Sequence, residues 1–316
     1  MRRPALHHGP PSDHFDGRRF FNPSGPSHPP LRVSLRWLAT RRRAAWPRTV
    51  EVAPAMPDAA VADLRVTFVG HATVLVQAPG LNVLLDPVWS ERVGPRGIGP
   101  RRHHAPGIRF VDLPKIDLVV VTHAHWDHMD APTLARLRDG HAPRVVAPLG
   151  CDAVLAREVP GLRVETLDWH GTADGVTALP CRHWSERWGG DRDLTLWASF
   201  LIDTPAGPVF LMGDTGYDGG RPYDLPARPR LAAIPIGAYA PRWHMEHEHQ
   251  DPDDAVRGFL RCGADHAVGI HWGCFRMTDE AREDPPAALA AAKAAHGVAP
   301  DRFRALRPGE AWDVPP

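Results

Sequence analysis

Cysteine is scarce in this sequence, and Cys151, Cys181, Cys262 and Cys274 are scattered with no C-x-x-C pair. That spacing argues against a zinc ribbon or a disulfide scaffold and suits a reducing compartment. No apolar run approaches the ~18 residues of a membrane-crossing helix. The longest, Leu118 to Val121 and Leu231 to Ile236, are strand-sized. The N-terminus is basic but lacks the apolar core of a secretory signal, so the sequence alone predicts a cytoplasmic protein. Net charge is also missing, with 37 basic against 37 acidic residues, which argues against nucleic acid as a partner. Lysine (Lys115, Lys293) and asparagine (Asn22, Asn82) occur only twice each, which reads as GC-rich coding bias. What is plentiful is proline, at 35 residues, and histidine, at 19.

Two regions differ in texture. Residues 1–60 form a Pro/Arg-rich arm with little periodicity, apart from one short amphipathic segment. There Leu31, Leu35 and Leu38 fall on one face of a helix, followed by Arg41, Arg42 and Arg43. That face either straps the arm to the main domain or lies on an anionic lipid surface as a peripheral membrane contact. Residues 61–316 read as one domain. Strands are expected at 64–69, 73–77, 81–85, 117–122, 144–147, 162–167, 175–179, 195–202, 208–212, 231–236 and 266–270. Helices are expected at 131–138, 150–157, 252–261 and 286–295. Two mixed sheets packed together and covered by helices, an α/β (α+β) class, satisfy this order.

The chemistry concentrates where apolar strands end. Asp117-Leu-Val-Val-Val-Thr122 runs straight into His123-Ala-His-Trp-Asp-His128, an H-x-H-x-D-H loop. His123 and His125 can point to one metal, and Asp127 and His128 can reach a second. Imidazole and carboxylate suit Zn²⁺ and tolerate Mn²⁺ or Fe²⁺. His183, Asp214 and His271 each follow a later apolar strand, bringing the candidate ligands to seven. Asp86, in Leu84-Leu-Asp-Pro87, is either a turn carboxylate or a group that orients a ligand histidine. Trp184 and Trp272 flank ligands and read as packing residues.

The ordered ligand set resembles the metallo-β-lactamase superfamily, an αββα sandwich of hydrolases. Gly70-His-Ala-Thr73, Phe210-Leu-Met-Gly-Asp-Thr-Gly-Tyr217, Leu231-Ala-Ala-Ile-Pro-Ile-Gly-Ala-Tyr-Ala-Pro-Arg-Trp243 and Ile270-His-Trp-Gly273 are similar to the N-acylphosphatidylethanolamine-hydrolysing phospholipase D family. The similarity begins at Phe20-Phe-Asn-Pro23. It implies two Zn²⁺ per chain: one held by His123, His125 and His183, the other by Asp127, His128 and His271, with Asp214 bridging. A water shared by both ions would then attack phosphorus in a lipid phosphodiester. The family keeps a histidine two residues before Asp251-Pro252, which makes His249 a phosphate contact or proton donor. Asp127 and His249 are thus the expected catalytic groups, whereas His244 and His247 match no family position and are expected to be exposed. Two other readings stay open: hydrolysis of a carboxylic ester, lactone or thioester, and a non-catalytic metal-binding protein.

Overall fold

The computed structural model of the protein describes residues 4–26 and 28–316. One seven-stranded sheet contains β1 (Arg65–Gly70), β2 (Thr73–Ala78), β3 (Leu81–Leu85), β4 (Leu118–Val120), β5 (Arg144–Pro148), β6 (Glu165–Leu167) and the C-terminal β14 (Ala311–Asp313), in the order β14-β1-β2-β3-β4-β5-β6. The other contains β7 (Thr172–Ala173), β8 (Val176–Leu179), β9 (Ser199–Ile202), β10 (Val209–Leu211), β11 (Leu231–Pro235), β12 (His266–Ile270) and β13 (Phe303–Arg304), in the order β13-β12-β11-β10-β9-β8-β7. The helices are α1 (Leu31–Thr40), α2 (Ala131–Gly140), α3 (Cys151–Glu158), α4 (Arg242–Met245), α5 (Pro252–Cys262) and α6 (Asp284–Ala295).

Period-two patterning explains the layers. In the first sheet Val66, Phe68, Val74, Val76, Val83, Leu85, Leu118 and Val120 belong to the core that includes the second sheet. The alternate residues Leu75, Leu84, Val119, Val121 and Val145 pack with Leu134, Leu137, Val154 and Leu155 of α2 and α3. Both faces are therefore apolar, as a sheet covered on both sides requires. Helices α5 and α6 contribute Val256, Phe259, Leu289 and Ala292 to the larger cluster. Helix α5 starts cleanly because the Asp251 carboxylate accepts from the Asp254 amide and Pro252 takes the first helical position.

Strand direction gathers the functional groups. β1 and β3 are both antiparallel to β2, and β3, β4 and β5 are mutually parallel. In the other sheet β8 and β10 are both antiparallel to β9, while β10, β11 and β12 are parallel. The C-terminal ends of β1, β3 and β4, and separately of β8, β10 and β12, consequently share one edge of each sheet. A bridge between His71 and Trp272, with the His271 amide donating to the His71 carbonyl at 2.7 Å, joins the two edges.

The N-terminal residues run along this sandwich. Phe15 and Phe20 pack with Cys181, Leu196 and Trp197, while Val50 and Ala55 bridge to His104 and Ile108. The amphipathic segment is helical as its spacing predicts, but its leucine face does not strap it down. Leu31, Leu35 and Leu38 are 74%, 55% and 52% exposed. Contact comes instead from Trp37, which lies against the His244 ring at 4.7 Å and donates its indole N–H to Asp279. His244 is accordingly buried, against expectation, while His247 is exposed. The short strands β7, β13 and β14 and the helix α4 had no counterpart in the sequence reading.

Candidate metal centre

The strand ends converge as the topology requires. After β4, His123 and His125 turn inward, with His123 Nε2 2.9 Å from His125 Nδ1. His183, after β8, places Nε2 3.3 Å from the same Nδ1. Beside this trio, His128 Nε2 and His271 Nε2 lie 3.2 and 3.1 Å from Asp214 Oδ2. They lie 3.4 and 3.6 Å from Asp127 Oδ2. Asp214 Oδ2 is also 3.8 Å from His183 Nε2, so this carboxylate stands between the two groups. All seven candidate ligands thus come together.

The donor set fits divalent cations. Ligand atoms ~2.0–2.1 Å from a tetrahedral ion lie ~3.3 Å apart, and the separations above, 2.9 and 3.3 Å in one trio and 3.4 and 3.6 Å in the other, bracket that spacing. His128 Nε2 and His271 Nε2, the atoms that face Asp127 and Asp214, are buried without a hydrogen bond, a costly state for polar atoms. A cation at their focus would satisfy the inward-facing lone pairs.

The electrostatics separate the two groups. Burial and the surrounding imidazoles hold His123 and His183 well below the ordinary histidine range. Burial likewise holds His125 at about 4. All three are neutral, the state a ligand imidazole needs. Around His128, burial opposes charge, but Asp214, Asp127 and Asp86 together push its pKa well above the usual value. Burial also opposes charge on His271, and Asp214 with Asp127 raises it to about 9. Burial pushes the Asp127 and Asp214 carboxyls up, yet their imidazole neighbours, His128 first, hold both well below the usual range. Three buried carboxylates thus call for positive charge on this side.

Outer contacts fix the ligands. Asp86, after β3, accepts from the Thr122 amide and hydroxyl at 2.7 Å each, and its Oδ2 is 2.7 Å from His128 Nδ1. Asn22, from the N-terminal segment, donates to the His183 carbonyl at 2.8 Å and accepts from the Trp197 indole. Sequence reasoning assigned no role to Asn22, His71 or Glu248. His71 Nε2 is 2.8 Å from Asp127 Oδ2, and burial holds its pKa at about 3. The Glu248 carboxyl, pushed up to about 7 by burial, lines the cavity above the centre. The signals in the sequence for His71 were its place at the end of a strand, shared with the candidate ligands, and its position in Gly70-His-Ala-Thr73, one of the segments that carry the family resemblance.

That cavity measures about 400 Å³. Its floor is His125, Asp127, His183 and Asp214, and its walls are largely apolar: Trp37, Val93, Pro95, Ile98, Trp126, Trp184, Met245 and Met277. Trp184 is therefore a wall residue, whereas Trp272 packs against Phe68. His249 also reaches the cavity, its Nδ1 3.9 Å from Asp214 Oδ2 and its ring 5.3 Å from those of His183 and His271. Burial holds it at about 4, so it is a neutral imidazole whose nitrogens can also join His183 and Asp214 around a cation.

Comparison with known proteins agrees with this geometry. Residues 81–272 match the beta-lactamase superfamily domain. An uncharacterized protein of Mycobacterium tuberculosis is 37% identical over 247 residues, covering 72% of this chain and 64% of that protein. The N-acyl-phosphatidylethanolamine-hydrolyzing phospholipase D 1 of Caenorhabditis elegans is 33% identical, covering 67% of this chain and 64% of that protein. The chain therefore spans just under two thirds of the length of these curated relatives. A metallo hydrolase from the archaeon Ignicoccus hospitalis shares the fold, with a TM-score of 0.59 at 20% identity, over 79% of this chain and 97% of that one. The chain belongs to the beta-lactamase superfamily and has its metallo-hydrolase fold.

Proposed function

We propose that the protein is a binuclear zinc phosphodiesterase of phospholipase D type, acting on N-acylphosphatidylethanolamine-like lipids. The observation that carries this reading is the pair of His/Asp clusters bridged by Asp214 at the floor of a largely apolar cavity. In it His123, His125 and His183 would hold one ion, Asp127, His128 and His271 the other, and Asp214 would be shared by both. Bound there, two zinc ions would withdraw charge from a phosphodiester and acidify water. The name of the C. elegans relative and the apolar walls favour a lipid substrate.

The chain's own residues do the rest. Neutral His249 holds a non-bridging phosphate oxygen through its N–H, a role that needs no charge on the ring. Trp37, Trp126 and Trp184 exclude water and receive acyl chain. Helix α1 puts Trp37 in the cavity wall and leaves its leucines bare, so the same element makes the peripheral contact with a lipid surface. Among the described residues no helix is long and apolar enough to cross a membrane, and the contact is interfacial.

The test is product analysis with the zinc-loaded protein on N-acylphosphatidylethanolamine vesicles. Release of phosphatidate and N-acylethanolamine is expected. Release of free fatty acid would replace the reading with a carboxylic ester hydrolase. Two retained metals with no hydrolysis of any diester would make this a non-catalytic metal-binding protein.

A further inference from the structure

We infer that His71 is a positioning residue for the metal centre, acting through its hydrogen bond to Asp127. The inference rests on the metal-centre reading above. His71 follows β1 on the strand edge that also presents Asp86 and His123, yet it lies outside the H-x-H-x-D-H loop and outside the matched residues 81–272. Its ring is 2% exposed. Its Nε2 stands 2.8 Å from Asp127 Oδ2, the same oxygen that faces His128 and His271.

The chemistry of that contact decides the role. His71 lies close enough to Asp127, His128 and His271 to join them around a cation, but in its 2.8 Å contact with an ionised carboxylate, which only accepts, Nε2 is the donor, and a protonated nitrogen has no lone pair for a cation. His71 therefore acts on Asp127 and not on the ion. By occupying part of the acceptor capacity of Oδ2, it fixes the carboxylate plane and limits how Asp127 can turn toward a cation. Asp86 does the equivalent for His128 from the other side, 2.7 Å from Nδ1.

The fold holds His71 firmly in place. Its φ is +56°, a backbone conformation disfavoured for a non-glycine residue. It is kept there by the bridge to Trp272 and by the His271 amide on its carbonyl. His271 lies against its ring at 4.1 Å and Phe275 meets it edge-on at 5.1 Å. His271 itself has φ +62°. Strain at His71 and at His271, the residue just before its bridge partner Trp272, is the pattern expected where geometry is imposed for function.

The experiment titrates metal-free full-length protein with Co²⁺ alone, reading its visible absorption and the two dissociation constants against a competing chelator. Wild type should bind two ions; failure to do so would overturn the binuclear reading itself and not this inference in particular. His71→Ala should weaken the Asp127 half about 10–100-fold while the His123/His125/His183 half keeps its affinity. His71→Gln, which keeps an N–H near the position of Nε2, should recover most of that loss with an unchanged Co²⁺ spectrum. Wild-type affinities in His71→Ala, or equal weakening of both halves, would overturn the inference. So would a Gln variant as weak as the Ala variant with an altered spectrum, which would make His71 a ligand. Should His71→Ala not fold, His71→Asn, whose shorter side chain cannot bring an N–H to Asp127, takes its place with the same expected loss and the same overturning results.

Discussion

The two halves of the candidate metal centre are built to different plans. The half around Asp127, His128 and His271 is carboxylate-rich and clamped from outside by Asp86 and His71. The half around His123, His125 and His183 uses neutral imidazoles and leans on loops. His183 Nδ1 meets the Glu248 carbonyl at 3.1 Å, His123 Nδ1 lies 2.9 Å from the Thr122 hydroxyl, and His125 Nε2 has no hydrogen-bond partner. His125 and His183 also line the cavity, whereas Asp127 is the one member of the other half that does. The charged half, held by carboxylates, is suited to anchoring an ion; the imidazole half faces the cavity.

The largest effect should come from removing the residue both halves share. Asp214→Ala should abolish hydrolysis and lower metal content from two ions toward none or one, because two cations would then face each other without a bridging negative charge. Elemental analysis beside an activity assay checks this, and a fully active variant would dissolve the comparison.

Next comes His249. If it binds phosphate, His249→Ala should keep both metals and lose ~10²–10³ in kcat, the typical cost of one donor aimed at developing negative charge. The loss should be equal for a natural lipid diester and a p-nitrophenyl diester. A loss confined to the natural substrate would instead make His249 the acid that protonates a poor leaving group.

Asp86→Ala sharpens the contrast between the halves. Without its contact to His128 Nδ1, the affinity of the Asp127 half should fall about 10–100-fold, with a smaller loss in the other half, because Asp86 also holds Thr122, whose hydroxyl is 2.9 Å from His123 Nδ1. Asn22→Ala should do the reverse and more weakly, since it releases a carbonyl of His183 and leaves the imidazole untouched. A loss falling mainly on the same half in both variants would show that the halves are mechanically one unit.

How much of this could be read without coordinates follows from the range of the forces involved. The convergence of the candidate ligands placed immediately after apolar strands was legible because period-two runs and a histidine-rich loop are local signals, and parallel strand order carries their ends to one edge. His71 stood in the resembling segment Gly70-His-Ala-Thr73, but its role was not legible, because the Asp127 it faces is 56 positions away. Asn22 stood likewise in Phe20-Phe-Asn-Pro23, and its contact with the His183 carbonyl spans 161 positions. β13 and β14 are two and three residues long, too short for a period to register, and exist because the sheet edges accept them. His244 was misplaced for the same reason: the ring that buries it, Trp37, comes from a helix in the N-terminal arm.

The smallest expected effect concerns that helix and depends on the physical form of the substrate. Leu31, Leu35 and Leu38 are bare while Trp37, on the same helix, reaches the cavity wall, so an apolar surface lies beside the entrance. Arg36 stacks on Trp243 at 4.9 Å, and Arg41 to Arg43 follow, which adds attraction to an anionic bilayer of about 1 kcal/mol for each basic group near the surface. Replacing Leu35 and Leu38 with serine removes apolar area that no protein core uses, and folding stability should therefore hardly change. Partial immersion of each leucine is worth about 1 kcal/mol, below the 1.5–3 kcal/mol of full burial. The double variant should thus bind anionic vesicles about tenfold or more weakly and lose activity on them in proportion. Turnover of a short-chain, monomerically dissolved diester should stay at the wild-type level, because the cavity wall and the metal centre are untouched. Equal losses on both substrates would assign α1 to the integrity of the cavity and end its role at the interface.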